Sequence, residues 1–113
     1  MFQKLRTVIY HTDDLSKAKK WYTDLTGIAP YFDEPYYVGF DIHGCELGLD
    51  PESHAATGIG SVAYWKVDDI KGSLATCIAA GAAVHSDIQN VGGTIEIAII
   101  IDPFGNYVGL ISE

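Results

Sequence analysis

The chain repeats itself. Val8-Ile-Tyr-His-Thr-Asp-Asp-Leu15 aligns with Ala63-Tyr-Trp-Lys-Val-Asp-Asp-Ile70 at a constant offset of 55 residues, about half of the 113-residue length. In each copy an alternating segment of β-branched and aromatic residues runs into Asp-Asp and then into an apolar residue. Alternation marks a half-buried strand, and Asp ahead of an apolar period marks a helix N-cap. Each copy continues as a helix, a glycine stop and three strands. A unit of that size leaves one face of its sheet uncovered, so two βαβββ modules must pack together as one domain.

In chain order, Leu5–Thr12 reads as a strand and Leu15–Leu25 as a helix, with Leu15, Ala18, Tyr22 and Leu25 on its apolar face and Gly27 as its stop. Ile28–Asp33 is a short strand, and Tyr36–Ile42 turns at His43-Gly44 into Cys45–Asp50. The small, polar stretch Pro51–Gly60 joins module 1–52 to module 59–113. The second module reads as strand 59–67, helix Ile70–Ala80 with Ile70, Leu74, Cys77 and Ile78 inward, and strand Ala83–Gln89. A turn at Val91-Gly92-Gly93, strand Thr94–Ile101 and strand Asn106–Ile111 complete it. In the closing hairpin Asp102-Pro103 suits the entry of a turn, and Gly105-Asn106 tolerates positive φ. The predicted fold class is α+β: two tandem βαβββ modules forming a curved mixed sheet around a cleft, helices on the outer face.

The stretch Ile99–Leu110, IIIDPFGNYVGL, resembles the last hairpin of the vicinal-oxygen-chelate superfamily, which includes glyoxalase I, the extradiol dioxygenases, and the fosfomycin and bleomycin resistance proteins. Asp-Asp-Leu at 13–15, Trp-Tyr at 21–22, Leu-Thr-Gly at 25–27, Val-Asp-Asp-Ile at 67–70 and Ala-Gly-Ala at 80–82 extend the resemblance over nearly the whole chain. It implies this fold. Metal-dependent members place a ligand on the first and on the last strand of each half. Carried over, those positions fall on Thr7, Glu46, Val62 and Gly109. A catalytic zinc-type site needs about three protein ligands plus an open position. Of the four residues only Glu46 is a good donor, so no cofactor is expected and a divalent metal is not supported.

Composition narrows the partners. Net charge is −8, which repels phosphate-rich nucleic acid and attracts cations. No apolar run reaches membrane-spanning length, and the segment MFQKLRTVIY lacks the apolar core of a signal peptide, so cytoplasmic residence is expected and membrane association is not. Cys45 and Cys77 make no disulfide framework and no CxxC; they read as small buried hydrophobes. His11, His43, His54 and His85 show no ligand spacing. A Ser-His-Asp set, GxSxG, P-loop and GxGxxG are all missing from the sequence.

Strand alternation assigns faces. Val8, Tyr10, Val38, Phe40, Ile42, Leu47 and Leu49 face the first helix, and Thr7, Ile9, His11, Tyr37, Asp41 and Glu46 the cleft. In the second module Ala63, Trp65, Val67, Val108, Leu110 and the odd-numbered isoleucines 95–101 are expected in the core. Val62, Tyr64, Glu96, Ala98, Ile100 and Tyr107 are expected opposite. The predicted ligand-binding set is Tyr37, Asp41, Glu46, Tyr64, Glu96 and Tyr107: aromatic walls with carboxylates, suited to a flat or cationic small molecule.

Three functions fit. The first is a metal-free homodimer of the bleomycin-resistance type that binds a small organic molecule. The second is a lyase or isomerase of glyoxalase type, with Glu46 as base or metal ligand. The third is an interaction or regulatory module with no small ligand; the tyrosines read equally well as partly core or dimer interface.

Overall fold

The computed structural model describes residues 1–51 and 60–113; the expected connection at 51–60 and His54 lie largely or wholly outside the described residues. Among the described residues the chain is α+β, in the order β1 (Leu5–His11), α1 (Leu15–Thr26), β2 (Phe32–Glu34), β3 (Tyr37–Ile42), β4 (Cys45–Asp50), β5 (Val62–Lys66), α2 (Ile70–Ala79), β6 (Ala83–Gly92), β7 (Ile95–Ile101) and β8 (Tyr107–Ser112). It forms two compact units, Arg6–Val62 and Ala63–Glu113, and the second also holds Met1–Leu5. The repeat alone assigns residues 1–5 to the first module. Here Gln3 N donates to Lys66 O at 3.0 Å, Lys66 N donates to Lys4 O at 2.9 Å, and Phe2 stacks on Trp65.

The two modules follow one plan. Within the first, the strand order is β2-β3-β4-β1; within the second, β6-β7-β8-β5. In each, the opening strand pairs parallel with the last and the other pairs are antiparallel. The repeated Asp-Asp explains the helix starts. Asp14 Oδ1 accepts from Lys17 N at 3.0 Å, and Asp69 Oδ1 accepts from Gly72 N at 3.1 Å, satisfying N–H groups that the first turn leaves without partners. Gly27, at φ 73°, returns its N–H to Thr23 O and ends α1 in a left-handed cap that a Cβ would strain.

Each helix covers one face of its own sheet. Val38, Phe40 and Leu49 are buried under Leu15, Ala18 and Tyr22 of α1. Val67, Ala98, Ile100 and Leu110 are buried under Ile70, Leu74 and Cys77 of α2. A fully buried side chain of this size contributes roughly 1.5–3 kcal/mol. Leu25 and Ile78, expected inward, are 66% and 48% exposed. Each lies in the last turn of its helix.

The faces of β7 are reversed from the expectation. Ala98 and Ile100 lie in the core with Leu110 and Val108, and the odd-numbered isoleucines lie on the other face. Glu96 pairs with Ser112 in the same register and therefore sits on the helix side of the sheet, not on the face assigned to a ligand. A strand with apolar residues on both faces reads as a continuous run, and its period carries no parity.

The closing hairpin is held by one carboxylate. Asp102 Oδ1 accepts from Phe104 N at 2.9 Å and from Asn106 N at 2.8 Å, and Oδ2 accepts from Asn106 Nδ2 at 3.1 Å. These bonds, that to the Asn106 backbone first, hold the Asp102 carboxyl below its usual range. No helix among the described residues is long and apolar enough to cross a membrane.

Candidate functional site

The face of the first module that α1 leaves uncovered carries the most organised polar cluster. Thr7 on β1 lies directly beside Glu46 on β4 in the parallel pair, so both project to that face. Thr7 is 2% exposed, and the Glu46 side chain is 13% exposed. A carboxylate so enclosed needs charge and hydrogen-bond partners, and it has them. Thr7 Oγ1 donates to Glu46 Oε1 at 2.9 Å. Arg6 Nη1 donates to the same oxygen at 3.3 Å and to Thr7 Oγ1 at 2.8 Å. The Tyr31 hydroxyl donates to Glu46 Oε2.

Glycines make room for this arrangement. A Cβ at Gly39 would lie 2.7 Å from Glu46 Oε2 and 3.2 Å from the Tyr31 ring, and one at Gly48 would overlap the Tyr37 hydroxyl. The backbone is bare where the aromatic and carboxylate groups lie against it. Tyr31 remains 60% exposed and Tyr37 is half-buried, so their rings form the surface of the cluster. Asp41 shares this face, opposite Glu46, but its Oδ1 accepts from Gly44 N at 2.9 Å and serves the β3–β4 turn.

Neither Arg6 nor Tyr31 was found from the sequence. Alternation assigns Arg6 to the opposite face from Thr7, and its long side chain reaches back around the strand. One signal was present: Arg6 is the only arginine in the chain, and it stands beside a position assigned to a metal ligand. Tyr31 precedes β2 and has no periodic neighbours to mark it.

Burial first, and then the Glu46 hydrogen bond, raises the Tyr31 phenol above the ordinary tyrosine range. Its folded pKa exceeds its unfolded one, so its contribution to stability is complete below the unfolded value and is lost as pH rises through the folded one. In an ultraviolet titration one of the seven tyrosines is expected to ionise last, and Tyr31→Phe to remove that phase. Tyr22, raised by burial, would remain in the variant. Loss of no late phase in Tyr31→Phe would show that the hydroxyl is not held by Glu46.

The second module builds its corresponding face differently. Ile9 pairs with Gly48 and Tyr64 pairs with Gly109, and Ile9 and Tyr64 are equivalent in the repeat. Tyr107, two residues before Gly109, therefore occupies the place that Glu46 holds two residues before Gly48. Tyr64 is 5% exposed, with its ring against Gly109; it packs as core and is no open wall. Tyr107 is half-buried, and its ring meets His85 edge to face at 5.0 Å. Val62 is buried at 2%.

These residues do not fit a divalent metal. Val62 and Gly109 supply no side-chain donor, and both oxygens of Glu46 already accept from side chains of this module. Among the described residues no group of three or more His, Cys, Asp or Glu is placed to hold a metal ion.

The comparisons agree with this architecture. Solved structures with the same fold include a methylmalonyl-CoA epimerase variant of Streptomyces coelicolor in complex with 2-nitronate-propionyl-CoA, with a TM-score of 0.80 and 16% identity over 100% of this chain and 99% of that one. A glyoxalase/bleomycin resistance protein/dioxygenase superfamily member from Vibrio splendidus follows at 0.73 and 14%, over 96% and 98%. A Legionella pneumophila protein described as an NAD-dependent benzaldehyde dehydrogenase aligns at 0.73 and 15%, over 94% and 96%. No curated protein matches the chain. The model of the Glyoxalase/Bleomycin resistance protein/Dioxygenase superfamily matches residues 4–110, and with that match over nearly its whole length the chain belongs to this superfamily.

Proposed function

We propose that the protein binds a small organic molecule without a metal, on the open face of its first module, with Tyr31 and Tyr37 as the stacking surface. The observation that carries this reading is the internal neutralisation of Glu46. Arg6 supplies the positive charge that a metal would otherwise supply, and two hydroxyls occupy the remaining acceptor sites. Glu46 then fixes the Tyr31 ring in place before any ligand arrives, which lowers the ordering cost of binding. Two tyrosine faces in a chain of net charge −8 favour a flat aromatic ligand bearing a positive group, through stacking and cation–π contact. We include in this reading a cytoplasmic homodimer, on the family resemblance.

Elemental analysis of protein purified without chelator is expected to find no stoichiometric Zn, Ni, Mn or Fe. A thermal-shift screen is expected to respond to cationic aromatics. A ligand at a hundredfold its dissociation constant raises stability by about 2.7 kcal/mol, well within reach of such a screen. Tyr31→Ala should abolish the response. One bound metal per chain would overturn the proposal.

The Tyr31–Glu46 contact favours a second reading, a lyase or isomerase of glyoxalase type. Glu46 would take a proton from carbon next to a carbonyl, and Tyr31 would donate to the enolate oxygen. Solvent deuterium entering small carbonyl compounds, and lost in Glu46→Gln, would select this reading over simple binding.

A further inference from the structure

In the first module β2 is an edge strand, and the β2–β3 hairpin carries more aromatic surface than its packing uses. The Phe32 ring centroid lies 6.0 Å from that of Tyr36 and 6.1 Å from that of Tyr37, with planes crossing at 67° and 60°. Rings crossed so steeply leave faces open that stacked rings would cover. Tyr36 is 66% exposed and Phe32 37%, and neither joins the core under α1. The corresponding hairpin of the second module, β6–β7, turns at Val91-Gly92-Gly93 and contains no Phe, Tyr or Trp. The fold therefore does not require these rings.

Register decides which carboxylate accompanies them. Asp33 pairs with Val38, which is buried under α1, and receives Lys19 of that helix at 3.0 Å. Its neighbours Phe32 and Glu34 project to the opposite, open face, where Glu34 pairs with Tyr37. Cβ atoms so paired in antiparallel strands stand about 5 Å apart.

The other carboxylates of this face are committed. Glu46 serves Arg6, Thr7 and Tyr31, Asp41 serves the turn, and Asp50 is likewise engaged. Glu34 is exposed, and no ion pair among the described residues engages it. A positive group beside it would meet a counter-charge and aromatic faces together, so that ion pairing and cation–π attraction add.

We propose that Glu34, with Phe32, Tyr36 and Tyr37, receives the positive group of the ligand whose aromatic part lies on Tyr31 and Tyr37. This rests on the binding reading above and gives the ligand a class: an aromatic ring carrying an alkylammonium group on a short tether.

Benzyltrimethylammonium, benzyl alcohol and phenylacetate serve as probes, titrated into the full chain and followed by NMR shifts. The cation is expected to bind saturably, about tenfold more tightly than the neutral alcohol, and the anion most weakly. Glu34→Gln should weaken the cation about fivefold and leave the alcohol unchanged. Asp33→Asn removes the same charge from the opposite face and should leave both unchanged. Tyr36→Ser should weaken the cation several-fold. Glu34 and Tyr36 are exposed, so these variants spare the core. Unchanged affinity in Glu34→Gln would overturn the proposal while the binding reading stands. Equal losses in Glu34→Gln and Asp33→Asn would also overturn it, since they would reduce the effect to overall charge. So would a dimer that Tyr36→Ser splits without weakening the cation, since the rings would then belong to a subunit contact. Failure of every probe to bind the wild-type protein would remove the binding reading itself, and this proposal with it.

Discussion

Glu46→Leu is expected to cost the protein about 2–3 kcal/mol, measured by urea denaturation. The substitution deletes one acceptor from the Thr7 hydroxyl, 2% exposed, from Arg6, with a side chain 20% exposed, and from Tyr31. A buried donor that loses its acceptor costs roughly 1–3 kcal/mol, and breaking an enclosed ion pair costs about 3–5 kcal/mol when exposure is negligible. The residual exposure of Arg6 and Glu46 keeps the expected value in the upper part of the first range. Arg6→Leu combined with Glu46→Leu should lose less than the sum of the single variants, with a coupling of about 1–2 kcal/mol. A cost below about 1 kcal/mol with no coupling would reduce the pair to an ordinary surface salt bridge.

The same variants separate internal neutralisation from metal binding. A metal bound only in the folded state stabilises by mass action. If Glu46 held one, a chelator would lower the melting temperature of the wild-type protein and leave Glu46→Leu unchanged. With Arg6 as the partner of the carboxylate, chelator should move neither protein. Salt should weaken the wild-type pair only slightly, because the groups are largely enclosed.

The internal repeat made the fold legible. Both N-caps fall on the second residue of Asp-Asp, and both helices begin at the apolar residue after it. The first-module faces also followed from alternation, since β3 and β4 each have one apolar side and β1 pairs in register with β4. In the second module alternation carries no face at β7, where isoleucine occurs on both sides. The hairpin held the missing information. Asp102 N donates to Asn106 O, which sets Ile101 opposite Tyr107. Ile101 and Tyr107 must then share a face, so a core assignment for Ile101 conflicts with an outward Tyr107. Loop length fixes register in a strand whose own pattern is silent. The partners of Glu46 were hidden for another reason. Arg6 reaches its carboxylate by side-chain length, and Tyr31 by the path of a loop, and neither has a period in sequence.

Gly109→Ala is expected to be the most damaging single-methyl change in the second module, at about 2–3 kcal/mol. An added Cβ would overlap the Tyr64 ring, standing 2.7 Å from Cε2 and nearer still to two other ring carbons. Tyr64 is 5% exposed, so the ring has little space to retreat into, and overpacking of that kind typically costs 1–3 kcal/mol. Gly48→Ala provides the contrast within the repeat. Its Cβ meets the hydroxyl end of Tyr37, the far end of a side chain that is only half-buried, so the expected loss is smaller, below about 1 kcal/mol. If Tyr37 is part of the ligand surface, displacing its hydroxyl end should weaken ligand binding far more than it lowers stability. In Gly109→Ala stability should fall first, and adding Tyr64→Ala should recover part of what the methyl group costs while losing the ring's own packing. Equal losses for the two glycine variants would show that Tyr37 is as fixed as Tyr64, and the first module would then offer a rigid wall where an adjustable one is expected.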